Sequence, residues 1–442
     1  MDVLTLEVTD LDDEARGVAS HEGAAVHVAG AWPGETVRAE LEHRSPHKPE
    51  AWARLLTVDR GCAARVAPVC PATGRCGGCP LGTLSYEAQL AYKQARLVKA
   101  VAGIEGAAPG PIVASPAPLR YRSFAKLVYG PSDAGVCLGG YAPRSHALVD
   151  LAGCQVVTPT IEAVRAALVI ALRALEVVPY DETSGQGLLS YVALRENARG
   201  EVLGTLVGTD LDALATLAPR LLAAHPALVG IAGNLRARGN AIFGAETRTI
   251  AGLAELQEQV GAASLLLSPT AFFQVNRAIA ARIYGDLADA IVSGIRGATV
   301  DLYAGVGGIT QTLAARGVTA LVGIEVNPAA ARDASRAAER GKLAARFVAT
   351  DAAAGLRTEA ERGAIDTIIV NPPRRGLDEA VRTAISAARP AQLAYVSCDP
   401  DSLARDLAIL VAGGLRVRQL GAYDMHPQTA HIETLAILAR AR

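Results

Sequence analysis

From residue 298 onward, short apolar runs alternate with Ala-rich stretches of helical spacing. ATVDLY is followed by ITQTLAARG, and ALVGIE by PAAARDASRAAERG. RFVAT, IDTIIV and QLAYVS come next, then DSLARDLAILVAGG, LRVRQLGAY and ETLAILA. Strand–helix alternation of this kind predicts a mostly parallel, doubly wound α/β sheet. Ligands of such sheets bind beyond the carboxyl ends of the strands, so the residues just after each strand are the first place to look for chemistry.

The first strand ends in Asp301-Leu-Tyr303-Ala-Gly305-Val-Gly307-Gly308. Glycines there let the backbone approach a ligand and leave the next helix start free to bind it. A dinucleotide site calls for glycine at 310, where this chain has Thr310. The second strand ends at Glu325, at the distance where an acidic residue takes a ribose diol, and the third at Asp351. An acid after each of three strands, with a short glycine turn, suits a nucleoside without a pyrophosphate. S-adenosylmethionine is such a ligand.

The fourth strand runs into Asn371-Pro372-Pro373-Arg374-Arg375-Gly376. Paired prolines make a rigid extended turn. Amino-methylating enzymes follow a similar Asn-Pro-Pro with an aromatic residue, and Arg374 stands there instead. The fifth strand ends in Ser397-Cys398-Asp399-Pro400, which places a cysteine for nucleophilic work. A buried structural cysteine fits poorly with the polar neighbours Ser397, Asp399 and Asp401. Before the last strand, Asp424, His426, His431 and Glu433 are all candidates for a general base.

Ahead of this region, residues 1–58 hold short alternating runs punctuated by Gly17, Gly23, Gly30 and Pro33-Gly34. They predict a small β-barrel of OB type. Three cysteines follow, Cys70, Cys76 and Cys79, in a chain of seven. The opening residues lack the pattern of a signal peptide, and apolar runs such as 163–178 are broken by Arg165 and Arg173. A cytoplasmic location is therefore expected, and a reducing compartment turns cysteines toward metal or catalysis. Residues 86–101 have helical spacing, with Leu90, Leu97 and Val98 near one face. Residues 111–267 mix strands and apolar helices and read as an α+β domain. Net charge is −1, yet 93–126 carries six basic residues and one acidic, enough for a local RNA-binding face.

The whole chain resembles the bacterial RNA (uracil-5)-methyltransferases. The motifs that carry the resemblance are Ser268-Pro-Thr-Ala-Phe272-Phe273-Gln274-Val-Asn276, the turn Asp301–Gly308, Asn371-Pro-Pro-Arg-Arg-Gly376, Ser397-Cys398-Asp-Pro, and Asp424-Met-His-Pro-Gln-Thr-Ala-His431-Ile-Glu433. Ala15-Arg-Gly17-Val and Pro33-Gly-Glu-Thr-Val37 look like the TRAM module by which many members grip RNA.

The resemblance implies a class I (Rossmann-like) methyltransferase domain at 268–442. A TRAM barrel is implied at 1–58. Between them, at 59–267, it implies a central RNA-binding domain bearing an iron–sulfur cluster, with a helix at 82–105 packed on the catalytic domain. Cys398 would be the nucleophile that adds to uracil C6, and Glu433 the base that takes the C5 proton. Gln274, Tyr303, Gly305, Gly308, Glu325, Asp351 and Asn371 would hold S-adenosylmethionine, and Phe272 would stack near the target uracil. Members with this cysteine spacing bind a [4Fe-4S] cluster, whose fourth ligand here would be Cys154. Four thiolates suit zinc equally well on ligand chemistry alone.

Many members have Asp at position 371. The branch acting on 23S ribosomal RNA often has Asn there but commonly lacks a TRAM module. Ribosomal RNA is the first expected substrate and the transfer-RNA T-loop the second, with a monomeric enzyme. The rival readings are an RNA-binding or RNA-folding protein without catalysis, and an amino-methyltransferase.

Overall fold

The computed structural model describes residues 2–133, 135–237, 239 and 241–440. Its first unit is a closed barrel of β1 (Val3–Leu11), β2 (Gly17–His21), β3 (Ala24–Val28), β4 (Thr36–Arg44) and β5 (Glu50–Arg60), in the order β1-β2-β3-β5-β4. Leu4, Leu6 and Val8 alternate into its interior, as the period of a strand dictates. Closure leaves the barrel without an unpaired edge.

After the cysteine segment comes α1 (Tyr86–Ala100), whose start Ser85 caps by accepting from Ala88 N. The central unit is a seven-stranded sheet of β6 (Phe124–Ser132), β7 (Gly135–Tyr141), β8 (Leu148–Asp150), β9 (Leu189–Glu196), β10 (Val202–Gly208), β11 (Leu228–Arg236) and β12 (Phe243–Gly252), ordered β12-β11-β10-β9-β6-β7-β8. The helices α2 (Pro159–Ala174) and α3 (Leu211–Leu222) bury Ile161, Val164, Leu168, Leu214 and Leu221 against it.

A hairpin of β13 (Leu256–Val260) and β14 (Ala263–Leu267) leads through the Phe272 segment into α4 (Arg277–Ile291). Seven further strands complete the chain: β15 (Ala298–Leu302), β16 (Leu321–Glu325), β17 (Ala345–Ala349), β18 (Ile365–Val370), β19 (Gln392–Ser397), β20 (Leu415–Tyr423) and β21 (Glu433–Arg440). Their order is β17-β16-β15-β18-β19-β21-β20, parallel except for β21, which runs antiparallel to both neighbours. Strands buried on both faces read as continuous apolar runs. Accordingly Ile368 and Leu393 pack into one layer and Ile369 and Ala394 into the other. The covering helices are α5 (Gly308–Ala315), α6 (Pro328–Arg340), α7 (Ala352–Arg362), α8 (Glu379–Ala388) and α9 (Pro400–Ala412). The sequence rhythm assigned no helix to α7 or α8. Parallel strands need such crossovers, and both helices fill them.

The strand order reverses between β15 and β18, which opens a crevice at their carboxyl ends. Two segments ahead of residue 268 share this domain's core. Leu256, Leu265 and Leu267 of the hairpin lie on one side of the sheet, and Leu97 and Val101 lie on the other. The buried face of α1 is Gln89, Lys93 and Leu97 rather than the predicted Leu90, Leu97 and Val98. Val98 is 48% exposed, because polar Gln89 and Lys93 have partners across the interface and take the inner positions.

Among the described residues no helix is long and apolar enough to cross a membrane.

Candidate active site

A cavity of about 920 Å³ opens at the crevice. Its floor is the turn after β15. Tyr303 has φ 60°, an uncommon value for a residue with a side chain, and Gly307 follows at φ 84°. A Cβ at Gly307 would come within 2.7 Å of the Phe347 ring, and one at Gly308 within 2.7 Å of the Tyr284 ring. Glycine at both positions lets the turn close against these rings and exposes the backbone amides at the start of α5.

Glu325, at the end of β16, accepts from Gly305 N (2.9 Å) with one oxygen and from Asn327 N (2.7 Å) with the other. The carboxylate is thereby fixed in the cavity wall and keeps lone pairs for a diol. Gln274, Gly305, Gly308 and Asn371 line the same wall. Asp351 does not: it is exposed, and its Oδ1 accepts from Ala353 N and Ala354 N to cap α7. Asp301 is also outside the wall. Thr310 Oγ1 donates to it at 2.6 Å, which accounts for threonine where glycine is absent, and burial pushes its pKa up to about 7.

The other wall comes from the antiparallel pair β19 and β21. Ser397 lies opposite Thr434, and Thr434 Oγ1 donates to the Ser397 carbonyl at 3.0 Å. That register carries Cys398 and Glu433 to the same end of the two strands, and both line the cavity. Burial, then Glu433, push the Cys398 thiol up to about 11, with Arg374 opposing. Burial pushes the Glu433 carboxyl up to about 8, again with Arg374 opposing. A buried carboxyl that titrates near neutral pH beside a cysteine is matched to proton abstraction.

The remaining candidates for a base separate clearly. Asp424 is wholly buried, paired with Lys93 Nζ and taking a hydrogen bond from Tyr86 OH at 2.7 Å, and it does not line the cavity. Arg374 lies 3.0 Å from His431 Nε2. Arginine only donates, so Nε2 is the acceptor and the ring proton sits on Nδ1. Burial, then Arg374, depress His431 to about 4, and burial depresses His426 to about 3. Both rings are neutral near pH 7, and their centroids lie 6.0 Å apart.

Phe272 projects over the cavity mouth and is 76% exposed, whereas Phe273 beside it is buried. Their segment is anchored at its far end. Asn276 caps α4 and its Nδ2 donates to Ser115 Oγ (3.0 Å) and the Met425 carbonyl (3.3 Å).

Cys70, Cys76, Cys79 and Cys154 line a further stretch of the same cavity. Burial raises the Cys79 thiol to about 12, with Cys154, Cys70 and Cys76 adding to the rise. Burial also raises Cys76, and Cys154 and Cys70 contribute. The four thiols therefore feel one another across a shared space. They do not close around a single ion: among the described residues no three His, Cys, Asp or Glu side chains are grouped to hold one. Cys62 and Cys137 lie outside the cavity wall.

Two site residues escaped the sequence reading. Arg374 counts in the sequence only as an argument against an amino-methylating enzyme, although its place after Pro372-Pro373 at a strand end puts its charge beside Cys398. Lys93, with Gln89 and Leu97 at helical spacing, marked the buried face of α1.

The family model for tRNA (uracil-5-)-methyltransferase matches residues 354–441, and that for the methyltransferase small domain matches 285–392. An RNA methyltransferase of Geobacter sulfurreducens is 34% identical over 99% of this chain and 90% of its own length. One from Thermosynechococcus vestitus is 35% identical over 98% and 97%. The crystal structure of Pyrococcus abyssi tRNA (uracil-54, C5)-methyltransferase with S-adenosyl-L-homocysteine superposes with a TM-score of 0.82. It shares 25% identity and covers 98% of this chain and 99% of that one.

Proposed function

The chain belongs to the RNA (uracil-5)-methyltransferase family, and on that premise we propose that it transfers a methyl group from S-adenosylmethionine to C5 of a uridine in RNA. The observation that carries the reading is the pair Cys398 and Glu433, brought to one end of β19 and β21 over a cavity whose opposite wall holds Gly305, Glu325 and Asn371. Gln274, Tyr303 and Gly308 complete the donor side, with Glu325 on the ribose. Asp351, at the end of the third strand, is proposed on the donor side as well, its Oδ1 capping α7 and its Oδ2 left over.

C5 of uracil is a poor nucleophile. The Cys398 thiolate adds to C6 and pushes the ring electrons to O4, so that C5 becomes an enolate carbon. C5 then takes the donor methyl, and S-adenosylhomocysteine departs. Glu433 removes the C5 proton, and the electrons left behind expel the thiolate. Burial keeps the Cys398 proton in place at rest; as the thiol adds, the proton leaves to water through the open cavity, and Arg374, the cation that opposes its high pKa, favours the thiolate. The target uridine leaves its stack to reach the cavity, and Phe272 at the mouth offers it a ring face.

Ribosomal RNA of the large subunit is the proposed substrate, supported by Asn371-Pro-Pro-Arg-Arg-Gly376, with the transfer-RNA T-loop second. The barrel at 1–58 acts as a TRAM-type RNA grip and the region 59–267 as the central RNA-binding domain. The catalytic domain spans 268–442, and the enzyme works as a monomer in the cytoplasm. The thiols of Cys70, Cys76, Cys79 and Cys154 fit a [4Fe-4S] cluster. What supports the reading is that all four line one stretch of the cavity. Cys70, Cys76, Cys79 and Cys154 would hold the cluster, which would then cross-link the segment before α1 to the loop between β8 and α2.

Mapping 5-methyluridine in host RNA with and without the gene tests the function. One uridine that loses its methyl group in the deletion strain is the expected result. An unchanged map with purified enzyme inactive on that RNA would overturn it.

A further inference from the structure

The chain is poor in aromatic residues, with five phenylalanines among 442 residues. Three of them line the cavity and a fourth packs beside one of the three. Phe272 and Phe273 line it, Phe124 on β6 lines it from the central sheet, and Phe243 at the start of β12 stands beside Phe124 in one apolar cluster. Phe124 and Lys126 are two residues apart on a strand and share one face of the sheet. Lys126 lines the cavity and is exposed. Its Nζ lies 5.7 Å from the Phe124 ring centre and 5.2 Å from that of Phe243. Among the described residues no carboxylate pairs with it within 4 Å, and its charge is crowded by Arg195 and Arg122.

Arg195, the residue opposite Phe124 in the β6–β9 pair, ties the group together. Its side chain is 3% exposed. The guanidinium lies 4.0 Å over the Phe124 ring and donates to the carbonyl of Ala271, the neighbour of Phe272, and its Nε has no hydrogen-bond partner. One buried cation therefore fixes Phe124 relative to the ring at the catalytic mouth. An aromatic ring beside a cation that no acid pairs forms a surface for a base and its phosphate.

The geometry points to a second nucleotide subsite, in which Phe243, partly exposed and backed by the buried Phe124, receives the base of a nucleotide flanking the target uridine and Lys126 meets its phosphate. Arg195 is a positioning residue for this subsite. The inference rests on the RNA reading above and adds where specificity beyond the uridine is read.

The test uses short synthetic RNAs centred on the uridine that the wild-type enzyme methylates, each lacking one flanking base. Removing the base that fills the subsite is expected to weaken wild-type binding about 10-fold. The same removal is expected to cost nothing further in Phe243→Leu, which keeps apolar volume. S-adenosylhomocysteine affinity serves as the folding control and is expected to stay unchanged. Lys126→Gln is expected to lower the salt dependence of binding by about one ion. Additive losses at every flanking position, or an unchanged salt slope in Lys126→Gln, would overturn the subsite. Methylation by the wild-type enzyme would stand in that case, so failure here is distinct from failure of the proposed activity.

Discussion

Lys93 Nζ donates to Asp424 Oδ1 inside the protein, and neither side chain reaches solvent. The pair joins α1 to the loop between β20 and β21, the loop that carries His426 and His431 and ends at Glu433. Lys93 also donates to the His426 carbonyl at 3.0 Å, and Gln89 and Gln428 exchange hydrogen bonds one helical turn away. Breaking such a pair from one side leaves a buried charge without its partner. Lys93→Met is expected to destabilise the protein by about 3–5 kcal/mol in urea unfolding, and adding Asp424→Asn is expected to restore part of the loss. A stability change under about 1 kcal/mol in Lys93→Met would show that water reaches the pair.

Cys398→Ala and Glu433→Gln are expected to fail at different points. The first cannot form the bond to C6, so it binds RNA without a covalent complex or turnover. The second still forms the bond and accepts the methyl group, then stalls with the C5 proton in place. Loss of a positioned base costs about 10²–10⁴-fold in rate, long enough for a methylated adduct to survive a denaturing gel. Normal turnover by Glu433→Gln would remove that residue from the chemistry.

The high pKa of Glu433 gives a pH dependence with a definite sign. As a base it works when ionised, so kcat/KM is expected to rise as pH climbs through about 8. Stability runs the other way. The folded state holds a proton that the unfolded carboxyl releases near 4.5, so this contribution is complete below that value and is lost as pH rises through about 8. Glu433→Gln has no such proton, and its stability is expected to fall less across that window. Parallel stability curves for the two proteins would contradict the burial argument.

Glu325→Ala is expected to weaken S-adenosylhomocysteine binding far more than RNA binding in calorimetry. Each charge-assisted hydrogen bond to the ribose contributes about 1.5–3 kcal/mol. Equal affinity for the cofactor product in both proteins would place the ribose elsewhere.

Protein purified without oxygen is expected to be brown and to hold about four iron and four sulfide per chain, with both lost in Cys79→Ser. A colourless protein with one zinc would end the cluster proposal and leave methyl transfer intact.

The C-terminal sheet was legible because its strands are buried on both faces and leave continuous apolar runs such as Ile368-Ile369-Val370. The pairing of Cys398 with Glu433 was legible only through the family resemblance, since register between β19 and β21 is set by contacts that no single strand displays. Asp351 shows how one residue type serves two ends. An aspartate at a strand end is also a good helix cap, and its Oδ1 caps α7. The face of α1 misled because periodicity arguments look for apolar residues, whereas Gln89 and Lys93 are buried with polar partners found more than 300 residues later.

That separation has a consequence for synthesis. Tyr86 and its partner Asp424 are 338 residues apart, and most of the sheet that covers Leu97 emerges after residue 298. At about 5–20 residues per second, α1 leaves the ribosome on the order of tens of seconds before its docking surface exists. A helix with a wholly apolar inner face would spend that interval as bait for aggregation. This one presents an amide, an ammonium group and a single leucine, and so can wait in water. Nascent chains arrested before residue 424 should therefore stay soluble while their α1 segment remains open to protease, until the last two strands arrive and close it in.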